Sequence, residues 1–174
     1  MVPLFEPHNF WDSQPVPKVQ DEFRLPDSEF NKPIIEQNVE DISTEPLTLP
    51  PEYFWESLDL NDDSVAQEMY DLLVRNYVAD EDEMFRFNYA IPFIRWACVI
   101  PNGEPDWLLG VRGGKNRRLY GCITGIPVSL KINGVQVQAA EINFLCVHNQ
   151  LRARRLAPIL IKEVTRRINL KGIF

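Results

Sequence analysis

The chain has 174 residues, of which 45% are apolar and 25% charged, and its net charge is −7 at pH 7. These values are ordinary for one globular domain with a hydrophobic core. A continuous apolar stretch of about eighteen residues is missing, and residues 1–6 lack the basic and apolar pattern of a secretory signal, so we expect neither a transmembrane segment nor a secreted protein.

The first third of the chain predicts an extended arm followed by a helix. Residues 1–51 contain nine of the fourteen prolines and no helical or alternating apolar pattern. We therefore expect an arm on the domain surface, anchored by Phe10 and Trp11. Residues 61–64 have the composition of a helix start, and four apolar residues then share one helical face up to residue 77: Val65, Met69, Leu72 and Leu73.

The remaining elements predict an α+β domain. A short helix is expected at 92–98, carrying Phe93 and Trp96. Strands are then expected at 107–112, 118–125, 127–132 and 135–148, with Asn133-Gly134 as a hairpin turn. A final helix begins at Leu156, with four apolar residues on one face (Ile159, Leu160, Val164 and Ile168) and three basic residues off it (Lys162, Arg166 and Arg167).

Cysteine and histidine usage argues against a metal site. Cys98, Cys122 and Cys146 are odd in number and lie in apolar segments, which predicts buried, reduced thiols in a cytoplasmic protein. The chain has two histidines, His8 and His148, and no Cys-x-x-Cys pair, so the sequence predicts no zinc site. Neither histidine lies in a sequence context typical of nucleophilic catalysis.

Charge is divided unequally along the chain. Residues 1–110 hold 23 acidic and 6 basic residues, a net charge of −17, whereas residues 111–174 hold 2 acidic and 12 basic residues, a net charge of +10. Such asymmetry indicates charged partners, and the alternative is that the two parts neutralise each other. Nucleic acid is disfavoured as the partner, because aromatic residues hardly interleave with the basic ones and no binding motif is present.

The stretch NFLCVHNQLRARRLAP at 143–158 places three arginines at the start of a predicted helix. A helix N-terminus is already partly positive, so arginines there favour an incoming anion such as a pyrophosphate. Strand N–H groups at Phe144 and Leu145 are placed to polarise a carbonyl. Together these features suggest acyl-coenzyme A, with a solvated basic face as the alternative.

An acidic run at 80–83 precedes the aromatic cluster at 84–89. Carboxylates beside aromatic side chains suit a groove for a peptide that carries Lys or Arg. The alternative interpretation is a solvated acidic loop.

Five long motifs follow one another along the chain. They are FWDSQPVP at 10–17, NYVADEDEMFRFNY at 76–89, EINFLCVH at 141–148, LRARRLAP at 151–158 and EVTRR at 163–167. In sequence and order they resemble the N-terminal half of eukaryotic N-myristoyltransferases (glycylpeptide N-tetradecanoyltransferases), and the resemblance covers essentially the whole chain.

The resemblance implies an acetyltransferase-like (GNAT) fold with a mixed, mostly antiparallel, splayed sheet and flanking helices. The arm would be residues 1–51 and the acyl-CoA-binding domain residues 52–174. The implied activity is transfer of myristate from myristoyl-CoA to the N-terminal glycine amine of proteins, without a metal. A cytoplasmic location is expected, with association with ribosomes or membranes left open.

The same motifs imply roles for individual residues. The backbone N–H groups of Phe144 and Leu145 would form an oxyanion hole. Myristoyl-CoA would be bound by Asn9, Phe10, Trp11, Phe144, Leu145, Cys146, Val147, Arg152, Ala153, Arg155, Leu156 and Ala157. The peptide, with a basic residue a few positions after its glycine, would be bound by Val78, Asp80, Asp82, Phe85, Phe87, Tyr89 and Asn143.

Several positions depart from the family pattern. Ala79 removes one of the usual carboxylates and Glu81 lengthens another, so we expect an altered peptide preference. Ala153 stands where serine is common, which would delete a hydroxyl contact to phosphate. His8-Asn9 replaces an aromatic-glutamine pair.

The largest departure from the family pattern is the absence of the family's second half. In the family that half forms most of the peptide groove, and its C-terminal carboxylate is the general base. The sequence ends at 172–174, directly after a helix, where a further strand is expected. We therefore expect a truncated chain that holds myristoyl-CoA but turns over poorly by itself. The alternatives are a non-catalytic acyl-CoA-binding module and a generic GNAT acetyltransferase.

Overall fold

Four antiparallel strands form the centre of the computed structural model, which describes residues 11–13, 36–78, 87–132 and 134–174. The strands are β1 (Tyr53–Ser57), β2 (Leu108–Gly113), β3 (Arg118–Ile132) and β4 (Val135–Val147). They pair in that order, and every pair is antiparallel. With the helices described next, this is the α+β architecture that the sequence predicts.

Three helices flank the sheet, each close to its predicted position: α1 (Asp63–Asn76), α2 (Ile91–Cys98) and α3 (Leu156–Asn169). The side chain of Asp62 caps α1 by accepting hydrogen bonds from the N–H groups of Ser64 and Val65. Pro92 lies in the first turn of α2, where a missing N–H costs nothing. None of the helices in the described ranges is both long and apolar enough to cross a membrane.

The sheet separates two clusters of buried side chains. On one face, Met69 and Leu72 of α1 and Ile94 of α2 pack with Leu108 and Cys122. On the other face, α3 contributes its apolar residues to a cluster with β2 and β3, formed by Trp107, Leu109, Val111, Ile123, Leu160, Val164 and Ile168. Neighbouring residues of β2 therefore point to opposite faces, as the two-residue period of a strand requires.

Two features of the sheet differ from the sequence prediction. Strand β1 was not predicted, because YFWES at 53–57 has no apolar alternation. At the edge of the sheet its first four residues are half-buried and Ser57 is exposed. Strand β3 is continuous from Arg118 to Ile132, whereas the sequence suggested two segments. The far part of β3 pairs only with β4, from Ile126 opposite Glu141 to Ile132 opposite Val135, so this hairpin extends beyond the other strands.

A buried carboxylate on α3 was also missed. Glu163 is fully buried and accepts hydrogen bonds from the guanidinium groups of Arg166 and Arg167 at 2.7 and 2.8 Å. It also accepts the N–H of Leu47 at 3.0 Å, so the segment before β1 is fastened to α3. The two arginines, predicted to lie off the buried face, are mostly covered because they neutralise this carboxylate.

Candidate functional site

Strand β4 is interrupted by a bulge at Phe144 and Leu145. Cys122 pairs with Cys146 and Thr124 pairs with Asn143, so Ile123 alone faces both bulged residues. Phe144 has φ 48°, in the left-handed region that a residue with a side chain rarely adopts. Because bulges redirect backbone groups out of the ladder, this strained position is a candidate for function.

The backbone groups of Phe144 are bound by side chains. Its N–H donates to Oδ1 of Asn143 at 3.1 Å, and its carbonyl accepts from the Cys122 thiol at 3.4 Å. The Phe144 ring is buried against the edge of Tyr89, with ring centroids 5.5 Å apart. The bulge is therefore held in place by side chains of Asn143, Cys122 and Tyr89, while the Phe144 N–H is bound to a side chain instead of the backbone of β3.

A 3-10 turn, Asn149–Arg154, lies between β4 and α3. The sequence predicted that the helix would follow almost directly. The first two N–H groups of the turn are occupied: Asn149 donates to Oδ1 of Asn76 at 3.0 Å, and Gln150 donates to Nδ1 of His148 at 3.3 Å. These two N–H groups are therefore not available to an anion bound at this turn.

Helix α3 begins without a side-chain cap. Its N-cap residue, Arg155, has φ 57° and ψ 32°, and the first turn holds no acidic residue. The amides of the first turn therefore keep their partial positive charge, which favours an anion. Arg154 and Arg155 are exposed and form no ion pair within the described ranges, whereas the Arg152 guanidinium donates to the main-chain oxygen of Asn76.

The other residues predicted to bind the acyl donor differ in exposure. Cys146 and Val147 are buried, and the Cys146 thiol faces the Leu72 carbonyl at 3.8 Å. Burial raises the pKa of this thiol to about 12, so it is a packing group rather than a nucleophile. Leu156 is buried, Ala157 is half-buried and Ala153 is exposed.

A cavity of about 480 Å³ opens beside the bulge. Its walls come from α2, the segment before it, β3 and β4: Tyr89, Phe93, Trp96, Ala97, Ile100, Thr124, Ile126, Glu141, Asn143 and Phe144. Phe87, Tyr89 and Phe93 stack in a row, with successive centroids 5.6 and 5.2 Å apart. The row continues to Trp96, whose side chain is 74% exposed.

The structure thus brings together three of the residues predicted to contact peptide, namely Phe87, Tyr89 and Asn143. Val78 is exposed just beyond α1. The sequence analysis did not assign Trp96 or Glu141 to the site. The spacing of Phe93 and Trp96 on one face of a short helix was the available signal, since both rings are exposed.

Five predicted site residues lie outside the described residues: Asn9, Phe10, Asp80, Asp82 and Phe85. Trp11 begins a 3-10 turn, Trp11–Ser13. Within the described part of the chain, no group of three or more His, Cys, Asp or Glu side chains is arranged to hold a metal ion.

Comparison with known proteins identifies the family of this chain. The family model described as Myristoyl-CoA:protein N-myristoyltransferase, N-terminal domain, matches residues 33–174. The chain belongs to the N-myristoyltransferase family. It is 47% identical over 167 residues to the glycylpeptide N-tetradecanoyltransferase of Dictyostelium discoideum, covering 96% of this chain and 39% of that protein. For the Plasmodium falciparum enzyme the identity is 45% over 168 residues, covering 96% and 40%.

Solved structures of the N-myristoyltransferase family have the same fold. The Saccharomyces cerevisiae N-myristoyltransferase with bound myristoyl-CoA superposes with a TM-score of 0.84 at 42% identity, over 96% of this chain and 39% of that one. A GCN5-related N-acetyltransferase from Kribbella flavida gives a TM-score of 0.52 at 17% identity over 70% of this chain, a likeness of fold alone. The predicted GNAT-type fold is confirmed. This chain spans about two fifths of the length of the relatives it matches.

Proposed function

We propose that this chain binds myristoyl-CoA and serves in the transfer of its acyl group to the N-terminal glycine amine of a protein. The observation that carries the proposal is a pair of residues with strained, left-handed backbone angles, Phe144 and Arg155, that lie eleven positions apart in the chain. The bulge at Phe144 and the uncapped helix start at Arg155 are joined by the short segment between β4 and α3.

The helix start would hold the phosphates of coenzyme A. Arg152, Arg154 and Arg155 supply guanidinium groups, and the amides of Leu156 and Ala157 supply the partly positive end of α3. Ala153 has no hydroxyl to donate to a phosphate, so the arginines would contribute a larger share of the binding free energy than they would beside a serine. From the arm, Asn9, Phe10 and Trp11 are proposed to cover the cofactor.

The bulge would hold the thioester. In this proposal the N–H groups of Phe144 and Leu145 donate to the thioester oxygen as negative charge develops on it, and the buried Cys146 and Val147 line the path. The N–H of Phe144 is bound to the side chain of Asn143 rather than to a neighbouring strand, so a carbonyl oxygen has only a side chain to displace.

The acceptor peptide would approach from the aromatic side. Tyr89 and Asn143 line the cavity beside Phe144, and Phe87 stacks on Tyr89. In the sequence, Val78 comes just before the acidic run that contains Asp80 and Asp82. Those carboxylates, together with Phe85, are proposed to favour substrates with a basic residue shortly after the glycine.

A second candidate function is a non-catalytic acyl-CoA-binding module. Binding and turnover need not reside in the same segment, and this chain spans about two fifths of the length of the relatives it matches. Acylation requires a base within hydrogen-bond reach of the glycine amine. We expect the purified chain to bind myristoyl-CoA yet acylate a glycine peptide slowly or not at all.

Calorimetric titration tests these proposals. Myristoyl-CoA should bind more tightly than acetyl-CoA, and a folded chain that binds no acyl-CoA would refute the proposed function. Equal affinity for the two donors would favour a generic acetyltransferase. Rapid acylation of a glycine peptide by the same sample would refute the non-catalytic module.

The variant Arg155→Ala tests the phosphate site. It should weaken CoA binding by roughly 1.5–3 kcal/mol if the guanidinium donates to a phosphate. The matched control is Lys131→Ala, which removes an exposed cation at the tip of the β3–β4 hairpin and should leave the affinity unchanged. An unchanged affinity for Arg155→Ala would assign Arg155 to the solvated surface.

A further inference from the structure

Asn76, the last residue of α1, is a buried polar residue with three hydrogen bonds. Its side-chain NH₂ donates to the Leu72 carbonyl at 2.9 Å, and its Oδ1 accepts the N–H of Asn149 at 3.0 Å, from 73 residues further along the chain. Its main-chain oxygen accepts a hydrogen bond from Arg152. Only 5% of Asn76 is exposed.

The helix itself does not explain an asparagine at this position. The last turn of α1 is closed by the N–H of Tyr77, which donates to the Leu73 carbonyl at 2.8 Å. Leu or Ala would favour the helix more than Asn does. Burying an amide is costly unless its atoms are paired, so the long-range bond to Asn149 is the contact that makes the residue suitable here.

The turn that Asn76 holds is the one that carries Arg152. Asn149 is the first residue of the 3-10 turn, and its N–H would be an orphan donor without Oδ1 of Asn76. Asn76 therefore contacts two residues of the turn: Asn149, its first residue, through the side chain and Arg152 through the backbone. A guanidinium has five N–H donors, so the bond to Asn76 fixes its direction and leaves other donors for an anion.

We propose that Asn76 is a positioning residue for acyl-CoA, which holds the turn Asn149–Arg154 against the end of α1 so that Arg152 is directed at the phosphates. The inference rests on the proposed function and adds to it a residue outside the donor-binding set. It acts through Arg152 and does not itself touch the cofactor. Its effect on affinity should therefore depend on whether Arg152 is present.

A double-mutant cycle tests this dependence. CoA affinity is measured by calorimetry for the full chain and for Asn76→Ala, Arg152→Ala and the double variant. Asn76→Ala removes the bond to Asn149 and keeps the main-chain oxygen that Arg152 uses. It should therefore weaken CoA binding roughly threefold to tenfold, the range expected for losing one neutral hydrogen bond. In the Arg152→Ala background the same change should weaken binding less than about twofold.

Two outcomes would overturn the proposal. An unchanged affinity for Asn76→Ala would show that the turn holds Arg152 without it. An equal loss in both backgrounds would show a general structural defect rather than an effect through Arg152. Failure of the unaltered chain to bind CoA would instead refute the proposed function, and the two failures are thereby distinguished.

A second variant keeps the test valid if Asn76→Ala does not fold. Asn149→Pro removes the same hydrogen bond from the turn side, and proline suits the first position of a helical turn. It should weaken CoA binding to a similar extent, and a wild-type affinity would contradict the proposal. The control is Asn169→Ala, at a buried asparagine on α3, which should leave the CoA affinity of the folded chain unchanged.

Discussion

Replacing Glu163 by glutamine should destabilise the fold more than any single surface charge reversal. Glu163 is fully buried, and its oxygens accept hydrogen bonds from Arg166, Arg167 and the N–H of Leu47. The change keeps the shape of the side chain and removes its charge, so two guanidinium groups lose their counter-ion and the new NH₂ faces donors.

The expected loss in the free energy of unfolding follows from the burial of Glu163 and of its two arginine partners. Removing one partner of a fully buried pair costs roughly 3–5 kcal/mol. The side chains of Arg166 and Arg167 are 12% and 14% exposed, and Arg166 also donates to the carbonyls of Ser43 and Thr44. These retained contacts reduce the expected loss to about 2–4 kcal/mol, or about 6–12 °C in Tm for a chain of this length.

Urea unfolding followed by tryptophan fluorescence measures the effect. The Trp55 indole donates to the Leu47 carbonyl at 2.7 Å, so the probe lies beside the perturbed segment. Glu52→Gln is the matched control, because Glu52 is exposed and forms no ion pair within the described chain. A midpoint within error of wild type for Glu163→Gln, or an equal loss for Glu52→Gln, would refute the reasoning.

The pH dependence of stability supplies a second readout. Burial alone would raise the pKa of Glu163, but the hydrogen bonds from Arg166 and Arg167 outweigh it and hold the pKa below its ordinary value. The folded state therefore binds fewer protons than the unfolded state, and this contribution is present above about pH 4.3 and is lost as pH falls through the lowered pKa. Glu163→Gln should flatten that acid limb.

Two further predictions concern packing and protonation. A Cβ at Gly110 would lie 2.7 Å from Cδ2 of Leu58 and 3.0 Å from Cδ1 of Leu119, so Gly110→Ala should lower the free energy of unfolding by about 1–3 kcal/mol, and an unchanged thermal midpoint would show that both side chains can move. Burial and then the nearby Arg118 charge lower the pKa of His148. Folding therefore favours the neutral ring, and stability should decrease as pH falls below about 6.5. His148→Asn should remove that step in a pH series of urea midpoints, and its persistence would assign it to another group.

The helices were predictable because their signals are local. The composition of residues 61–64 indicates a helix start, and Asp62 does cap α1. Pro92 lies in the first turn of α2, and the spacing of apolar residues after Leu156 matches the buried face of α3. The buried thiols Cys98, Cys122 and Cys146 follow from their apolar neighbours in the sequence.

The missed features depend on partners distant in sequence. Strand β1 exists because residues 53–57 complete the edge of β2, and nothing in YFWES alone specifies that pairing. Glu163 was not recognised because a buried carboxylate is identified by its partners, and one of them is the N–H of Leu47, 116 residues earlier in the chain. Asn76 was missed for the same reason, since its partner Asn149 lies 73 residues away.

At the candidate site, the usual preferences for backbone angles and for helix capping are violated together. Phe144 and Arg155 adopt left-handed backbone angles that glycine would adopt without strain, and α3 starts with arginines instead of a capping side chain. Each departure costs stability, of the order of 1 kcal/mol or more, and packing alone gives no reason for any of them. The proposed ligand, an acyl thioester on a phosphate-bearing carrier, would account for all three, because it would need a redirected strand N–H for its carbonyl and free cations with free helix amides for its phosphates.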